Sequence, residues 1–177
     1  MGTGFTYTVY DLTKLTQAET YGKTLVELGK RNRNIVVLSA DLGRSTKTAE
    51  FAEAFPDRFF NFGIAEQNML GAAAGLALSG KIPFASTFGV FASMRAGEQM
   101  RTDIAYTNLN VRIVATHSGL SFGQAGTTHH CTEDIAIVRS MANMTVIVPA
   151  DSIETSKAVE ASVEYRGPIY IRIGRGF

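Results

Sequence analysis

The stretch Ile35-Val36-Val37-Leu38-Ser39-Ala40-Asp41-Leu42-Gly43 sets four consecutive apolar residues directly before a polar turn. A short, continuous apolar run of this kind is the pattern of a strand buried on both faces, as strands of parallel sheets are. Upstream, Tyr21, Leu25 and Leu28 recur three or four residues apart, and Lys and Arg close the segment, which predicts a helix from about Thr16 to Lys30. Downstream, a helix is expected over Thr48 to Ala54, stopping before Pro56, and then a brief strand at Phe59 to Asn61. The same alternation continues to the end. Helices are expected at Ala65 to Ser79, Phe91 to Ile104, Glu133 to Met141 and Ser152 to Glu164. Strands are expected at Pro83 to Ser86, Val111 to Thr116, Thr145 to Val148 and Ile169 to Ile173. The pattern predicts an α/β fold: a three-layer, doubly wound, mostly parallel sheet. Residues 1–13 read as an N-terminal arm and residues 14–177 as one domain.

Bulk composition narrows the function classes. The chain has 177 residues, 45% hydrophobic and 19% charged, with a formal net charge of +1. No run of like charge suggests nucleic acid or an anionic membrane as a partner. No segment is long and apolar enough to span a bilayer. Cys131 is the single cysteine, which excludes an intrachain disulfide and fits a reducing, cytoplasmic setting.

In open α/β sheets, ligands bind beyond the carboxyl ends of the strands. That rule selects Ser39 to Gly43, Asn61 to Glu66, Ser86 to Phe88 and the Gly-rich loop His117 to Thr132. Glu66 falls in the first turn of the Ala65 to Ser79 helix. There it either compensates the helix dipole or serves as a carboxyl in an apolar pocket, kept protonated for catalysis. Phe88, Phe91 and Met94 lie three apart; they are core packing or a wall for a flat heteroaromatic ring. All three histidines, His117, His129 and His130, share one loop with Cys131. A metal site, a Cys–His nucleophile and a histidine-lined active site are the readings of that cluster, and the spacing matches no common zinc pattern. The helix that follows Glu66 is unusual: Gly71, Ala72, Ala73, Ala74, Gly75 and Ala77 leave it almost without bulk. It is expected to be buried on more than one side, at a subunit contact.

At these residues the sequence resembles the transketolase family. Phe62-Gly63-Ile64-Ala65-Glu66-Gln67-Asn68-Met69 is similar to the segment around the glutamate that contacts the aminopyrimidine ring of thiamine diphosphate. Ser39-Ala40-Asp41-Leu42, Thr87-Phe88-x-x-Phe91, Arg95-Ala96-Gly97 with Arg101, Ala115-Thr116-His117-Ser118-Gly119-Leu120, Gly126-x-x-His129 and Val148-Pro149-Ala150-Asp151 resemble further blocks of that family, in the family's order. The resemblance runs from Thr16 to Gly174 and implies a pyrimidine-binding domain that takes part in passing a two-carbon ketol unit from a ketose to an aldehyde. It implies Glu66 at the ring nitrogen, Phe88 and Phe91 stacked on the ring, and Met94 as a third covering residue. Asp41 is implied beside the cofactor, His117 and His129 facing the sugar oxygens, and Arg175 at the substrate phosphate.

Three positions depart from the family pattern. Ala125 stands where an aspartate is usual, Ala18 where an arginine is expected, and Met94 where a tyrosine is frequent. These departures keep open a related enzyme that delivers its unit to a lipoyl or carrier-protein acceptor, and a non-catalytic partner subunit. The sequence holds no G-D-G motif of the kind that binds Mg²⁺ and diphosphate. The resemblance therefore implies a partner chain that carries the diphosphate domain and the Mg²⁺ ligands, assembled as a dimer of heterodimers.

Overall fold

The structure, a computed structural model, describes residues 11–176. Most of the expected N-terminal arm thus lies outside the described residues. Leu12–Lys14 forms one helical turn, and its Leu12 carbonyl accepts a hydrogen bond from the Ser152 hydroxyl.

Among the described residues, six strands form one sheet in the order β2-β1-β3-β4-β6-β5. They are β1 (Ile35–Ser39), β2 (Phe59–Asn61), β3 (Ile82–Phe88), β4 (Arg112–Thr116), β5 (Thr145–Ile147) and β6 (Ile169–Arg172). Every pairing is parallel. The period of two along β1 shows how the sheet divides its side chains. Ile35 and Val37 join a core with Tyr21, Leu25 and Val159, from helices α1 (Gln17–Arg31) and α6 (Ser152–Glu164). Val36 and Leu38 join a second core with Met69, Leu70 and Ala73 of α3 (Glu66–Leu78) and Val138 of α5 (Asp134–Arg139). Helices on both faces of one parallel sheet make the three layers that the alternating pattern predicts. No helix of the described residues is long and apolar enough to cross a membrane.

Local chemistry explains the boundaries. Thr16 and Glu19 form a reciprocal capping box that starts α1. Gln17 ties the start of α1 to two strand ends: its Nε2 donates to the Pro149 carbonyl at 2.8 Å, and its Oε1 accepts from the Gly174 N–H at 2.8 Å. α2 (Ala49–Ala54) ends before Pro56, as expected.

The continuous helix expected from Phe91 to Ile104 is not what forms. Two wide π turns, Phe91–Arg95 and Met100–Ala105, flank the short helix α4 (Gly97–Gln99). Each turn closes with an i→i+5 bond, from the Ala96 N–H to the Phe91 carbonyl and from the Tyr106 N–H to the Arg101 carbonyl. Ala96, at φ −112°, ψ 20°, leaves the helical region between them. The extra residue per turn shifts the side-chain faces, so a 3.6-residue reading of this segment fails.

α3 covers one of its sides within this chain and leaves the other open. Met69, Leu70, Ala73 and Ala74 are buried, but Gln67, Asn68, Gly75 and Leu78 are exposed, and a Cβ at Gly75 would meet nothing within 4 Å among the described residues. Within this chain the helix buries only one side.

Arg112, at the start of β4, is fully buried and has no carboxylate partner among the described residues. Its guanidinium donates to the carbonyls of Ser162 (2.7 Å), Gly167 (3.1 Å) and Tyr165 (2.6 Å), fastening the end of α6 to the centre of the sheet. Burial pulls its pKa down to about 10, which leaves it charged at neutral pH. Charge-assisted hydrogen bonds contribute about 1.5–3 kcal/mol each, and buried carbonyls left without donors add a penalty, so Arg112→Met should destabilise the fold by more than about 3 kcal/mol in urea unfolding. Arg112→Lys should recover only part of that loss, because an ammonium lacks the fork that reaches three acceptors.

Candidate functional site

Because all strands run the same way, their carboxyl ends meet at one edge. The polar turns that the strand-end rule selects gather there: Asp41 beyond β1, Asn61 at the end of β2, Phe88 at the end of β3 and His117 beyond β4. His117 has φ +56° and Asp41 φ +61°. Left-handed backbone is uncommon outside glycine, and it turns both side chains sharply off their strand axes. Asn61 fixes the Asp41 turn. Its Oδ1 accepts from the N–H groups of Asp41 (3.0 Å) and Gly63 (3.1 Å), while its Nδ2 donates to Asp41 Oδ1 at 3.3 Å.

Glu66 is 1% exposed at the first position of α3. Its surroundings correct the expected apolar pocket. Arg95 donates to Glu66 Oε2 at 2.8 Å, and the Thr87 hydroxyl donates to Oε1 at 3.3 Å. The π turn delivers Arg95 to this place, and its guanidinium also lies 4.1 Å from the centre of the Phe91 ring. The carboxylate is thus buried, paired with a cation and set beside an aromatic face.

That face belongs to a cluster of five rings. Phe88 stacks with Phe91 at 5.7 Å and lies 4.2 Å from His117 and 5.1 Å from Phe122. His129 packs edge-on against Phe91 and Phe122, at 5.4 Å each. The resulting aromatic cluster, with the Glu66 carboxylate joined to it through Arg95, offers ring surface for a flat, nitrogen-bearing ring and an acceptor for a ring donor. Phe88, Phe91, His117 and His129 gather in this one cluster, and Glu66 is tied to its edge through Arg95, which spans the carboxylate and the Phe91 ring. Phe122 escapes a sequence reading, although an aromatic side chain within a polar, Gly-rich loop is a usable signal. Arg95 and Thr87 stand inside family-like motifs that give them no role of their own. Met94 is 53% exposed, turned outward rather than buried with the rings.

Next to the cluster lies a basic cavity of about 220 Å³. Ala18, Glu19, Arg44, Lys47, His117 and Arg175 line it. Lys47, at φ +63°, reaches it because Gly22 allows α1 to pass close by: a Cβ on Gly22 would sit 2.3 Å from the Lys47 carbonyl oxygen. Glu19 lies 3.6 Å from the Lys47 ammonium. The sequence points to Arg175 but not to Arg44 or Lys47, whose positive charges border the gap left by Ala18.

The remaining loop groups sort themselves. His130 Nε2 donates to the Gly123 carbonyl at 3.2 Å, outside the ring cluster. Among the described residues no group of three or more His, Cys, Asp or Glu could hold a metal ion. Burial, with Asp134 adding to it, pushes the Cys131 thiol up to about 11, which makes it a poor nucleophile near neutral pH. His117 goes the other way. Burial first, and the nearby Arg175 charge second, lower it to about 4, so its imidazole is neutral in the folded protein across the physiological range.

Comparison with known proteins gives the family. The family described as the transketolase pyrimidine-binding domain matches residues 13–176. A putative transketolase C-terminal section from Methanocaldococcus jannaschii is 56% identical over 155 residues, covering 88% of this chain and 49% of the relative. An apulose-4-phosphate transketolase component from Phocaeicola vulgatus is 38% identical, covering 89% and 50%. A split-gene transketolase solved as an inactive beta4 tetramer superposes with a TM-score of 0.81 at 55% identity, covering 92% of this chain and 52% of that one. The chain spans about half the length of these relatives.

The His117 shift has a consequence for stability. Between pH 6.5 and about 4 the unfolded chain binds a proton at His117 that the folded chain refuses, so stability from this group is present above 6.5 and lost as the pH falls. His117→Asn, which tolerates left-handed backbone, should lose less stability than wild type between pH 7 and pH 5 in urea titrations.

Proposed function

The chain belongs to the transketolase pyrimidine-binding domain family, and on that premise we propose that it is the half-site that seats the aminopyrimidine ring of thiamine diphosphate. The assembled enzyme moves a two-carbon ketol unit from a ketose phosphate to an aldehyde acceptor. One observation carries the reading: a buried carboxylate, Glu66, is joined through Arg95 to the aromatic cluster of Phe88, Phe91, Phe122 and His129.

When bound, thiamine diphosphate supplies the carbon nucleophile that this chemistry needs, and the protein supplies placement and electrostatics. Glu66 takes the ring nitrogen as a hydrogen-bond partner, with Arg95 and Thr87 fixing the direction of its oxygens. Phe88 and Phe91 offer their faces to the ring, and Met94, exposed beside them, covers its outer side. Asp41, held by Asn61, borders the same edge. His117 and His129 face the sugar. The neutral imidazole of His117 can accept or donate a hydrogen bond to a hydroxyl without adding charge.

The basic cavity favours a phosphorylated sugar over a carrier-bound acceptor. Arg44 and Lys47 take over, from the turn after β1, the role left vacant at Ala18, and they do so opposite Arg175. A dianion there meets guanidinium and ammonium donors from two elements.

A second chain completes the site. It provides the diphosphate-binding half and the Mg²⁺ ligands and assembles with this one as a dimer of heterodimers in the cytoplasm. Two observations support it: the open Gly75 face of α3, and the inactive state of the related beta4 tetramer. The exposed glycine permits close backbone approach by another helix.

Thiazolium C2–H exchange in the complex with the diphosphate-domain chain tests the cofactor role without a choice of substrate. Glu66→Gln should abolish the enhancement seen in wild type; an undiminished rate would refute the assignment. For the cavity, Arg44→Ala with Lys47→Ala should raise KM for a phosphorylated donor about tenfold or more, since a lost charge-assisted bond is worth about 1.5–3 kcal/mol. KM for the unphosphorylated ketose should hardly move.

A further inference from the structure

The loop that carries His129 leaves and re-enters the domain through a narrow neck. The Gly119 N–H donates to the Cys131 carbonyl at 2.9 Å, and the Cys131 N–H donates to the Gly119 carbonyl at 2.8 Å. Phe122, Ala125 and His129 all hang from this one bridge, and His117 precedes it by two residues. The geometry of the rings therefore depends on how firmly the neck is held.

A partly buried ion pair lies beneath it. Asp134, wholly buried at the start of α5, accepts through Oδ2 from Arg172 Nε at 2.8 Å and from the Tyr170 hydroxyl at 3.1 Å. The other arm of the same guanidinium, Nη2, points at the Cys131 carbonyl at 3.4 Å. The guanidinium lies close against Gly119, where a Cβ would stand 3.1 Å from Nη2. From the opposite side the backbone between the wall aromatics closes in: a Cβ at Gly89 would meet Ser118 Oγ at 2.8 Å and Cys131 Sγ at 3.0 Å. The neck is gripped between β6 and the turn that follows Phe88. Buried ion pairs are weak sources of net stability, so the place of this one says more than its strength. One arm of the fork rests on a fixed anchor and the other rests on the loop.

We propose that Arg172 is a positioning residue whose guanidinium, anchored on Asp134, clamps the 119–131 neck and so holds His117 and His129 in the aromatic cluster. The proposal rests on the reading of those histidines as sugar-facing groups. A planar fork is what the task requires, because it presents donors in two fixed directions at once. An ammonium can satisfy Asp134 or Cys131 but not both in this geometry.

Arg172→Lys is the informative variant, since it keeps the charge on Asp134 and gives up the arm on the neck. In the full chain, amide hydrogen exchange across 119–131 should rise about tenfold or more, while α1 and α6 keep their protection. In the assembled enzyme, kcat for the ketose donor should fall about ten- to a hundredfold, the scale expected for small displacements of catalytic groups, with thiazolium C2–H exchange unchanged. Asp134→Asn should shift the same two readouts in the same direction, and adding it to Arg172→Lys should cost little more. Unchanged loop exchange in a folded Arg172→Lys chain would overturn the clamp. A loosened loop with wild-type turnover would overturn the positioning role. Failure of the cofactor reading itself would show separately, as C2–H exchange in wild type that does not depend on Glu66.

Discussion

Six parallel strands cannot be joined by tight hairpins, so each must be reached by a crossover that packs a helix on one face or the other. That constraint makes the sheet buried on both sides and accounts for the split of β1, where Ile35 and Val37 enter one core while Val36 and Leu38 enter the other. It also sends every strand's carboxyl end to the same edge. Asp41, Asn61, Phe88, His117 and Arg175 are far apart in sequence and come to one edge because of strand direction.

Charge then distinguishes two neighbouring regions of that edge. Around Glu66 a carboxylate and a guanidinium neutralise one another beside aromatic faces. Around His117 the side chains of Arg44, Lys47 and Arg175 outnumber Glu19, the acidic residue that lines the cavity with them. The first region suits a ring with little net charge and the second an anion. His117 belongs to both: its ring touches Phe88 and its other side borders the cations, and its positive form is disfavoured first by burial and then by the Arg175 charge.

Strand positions are legible in the sequence because apolar runs such as Ile35 to Leu38 carry their meaning locally. The strands and most helices form within a residue or two of where the pattern places them. The segment after Phe88 is not legible. Its period is set by π turns, which leave no compositional mark and are decided by tertiary demands on Phe91 and Arg95. Glu66, Phe88, Phe91, His117 and His129 can be picked out because motif and strand-end position coincide there. Arg95, Arg44 and Lys47 cannot be assigned roles from sequence, since a cation's partner is a matter of distance across elements. Lys47 is the clearest case: it reaches the cavity only because Gly22, on another helix, has no side chain.

The buried Arg112 carries an implication for the order of events during synthesis. Its acceptors lie 50, 53 and 55 residues further along the chain. Until that stretch leaves the ribosome, the guanidinium on the central strand β4 has only water to accept its hydrogen bonds. Burying it before α6 and β6 are in place would leave its donors unpaired, at the cost of a desolvated charge. A nascent chain cut short before residue 162 holds none of the three carbonyls that receive Arg112 in the finished domain.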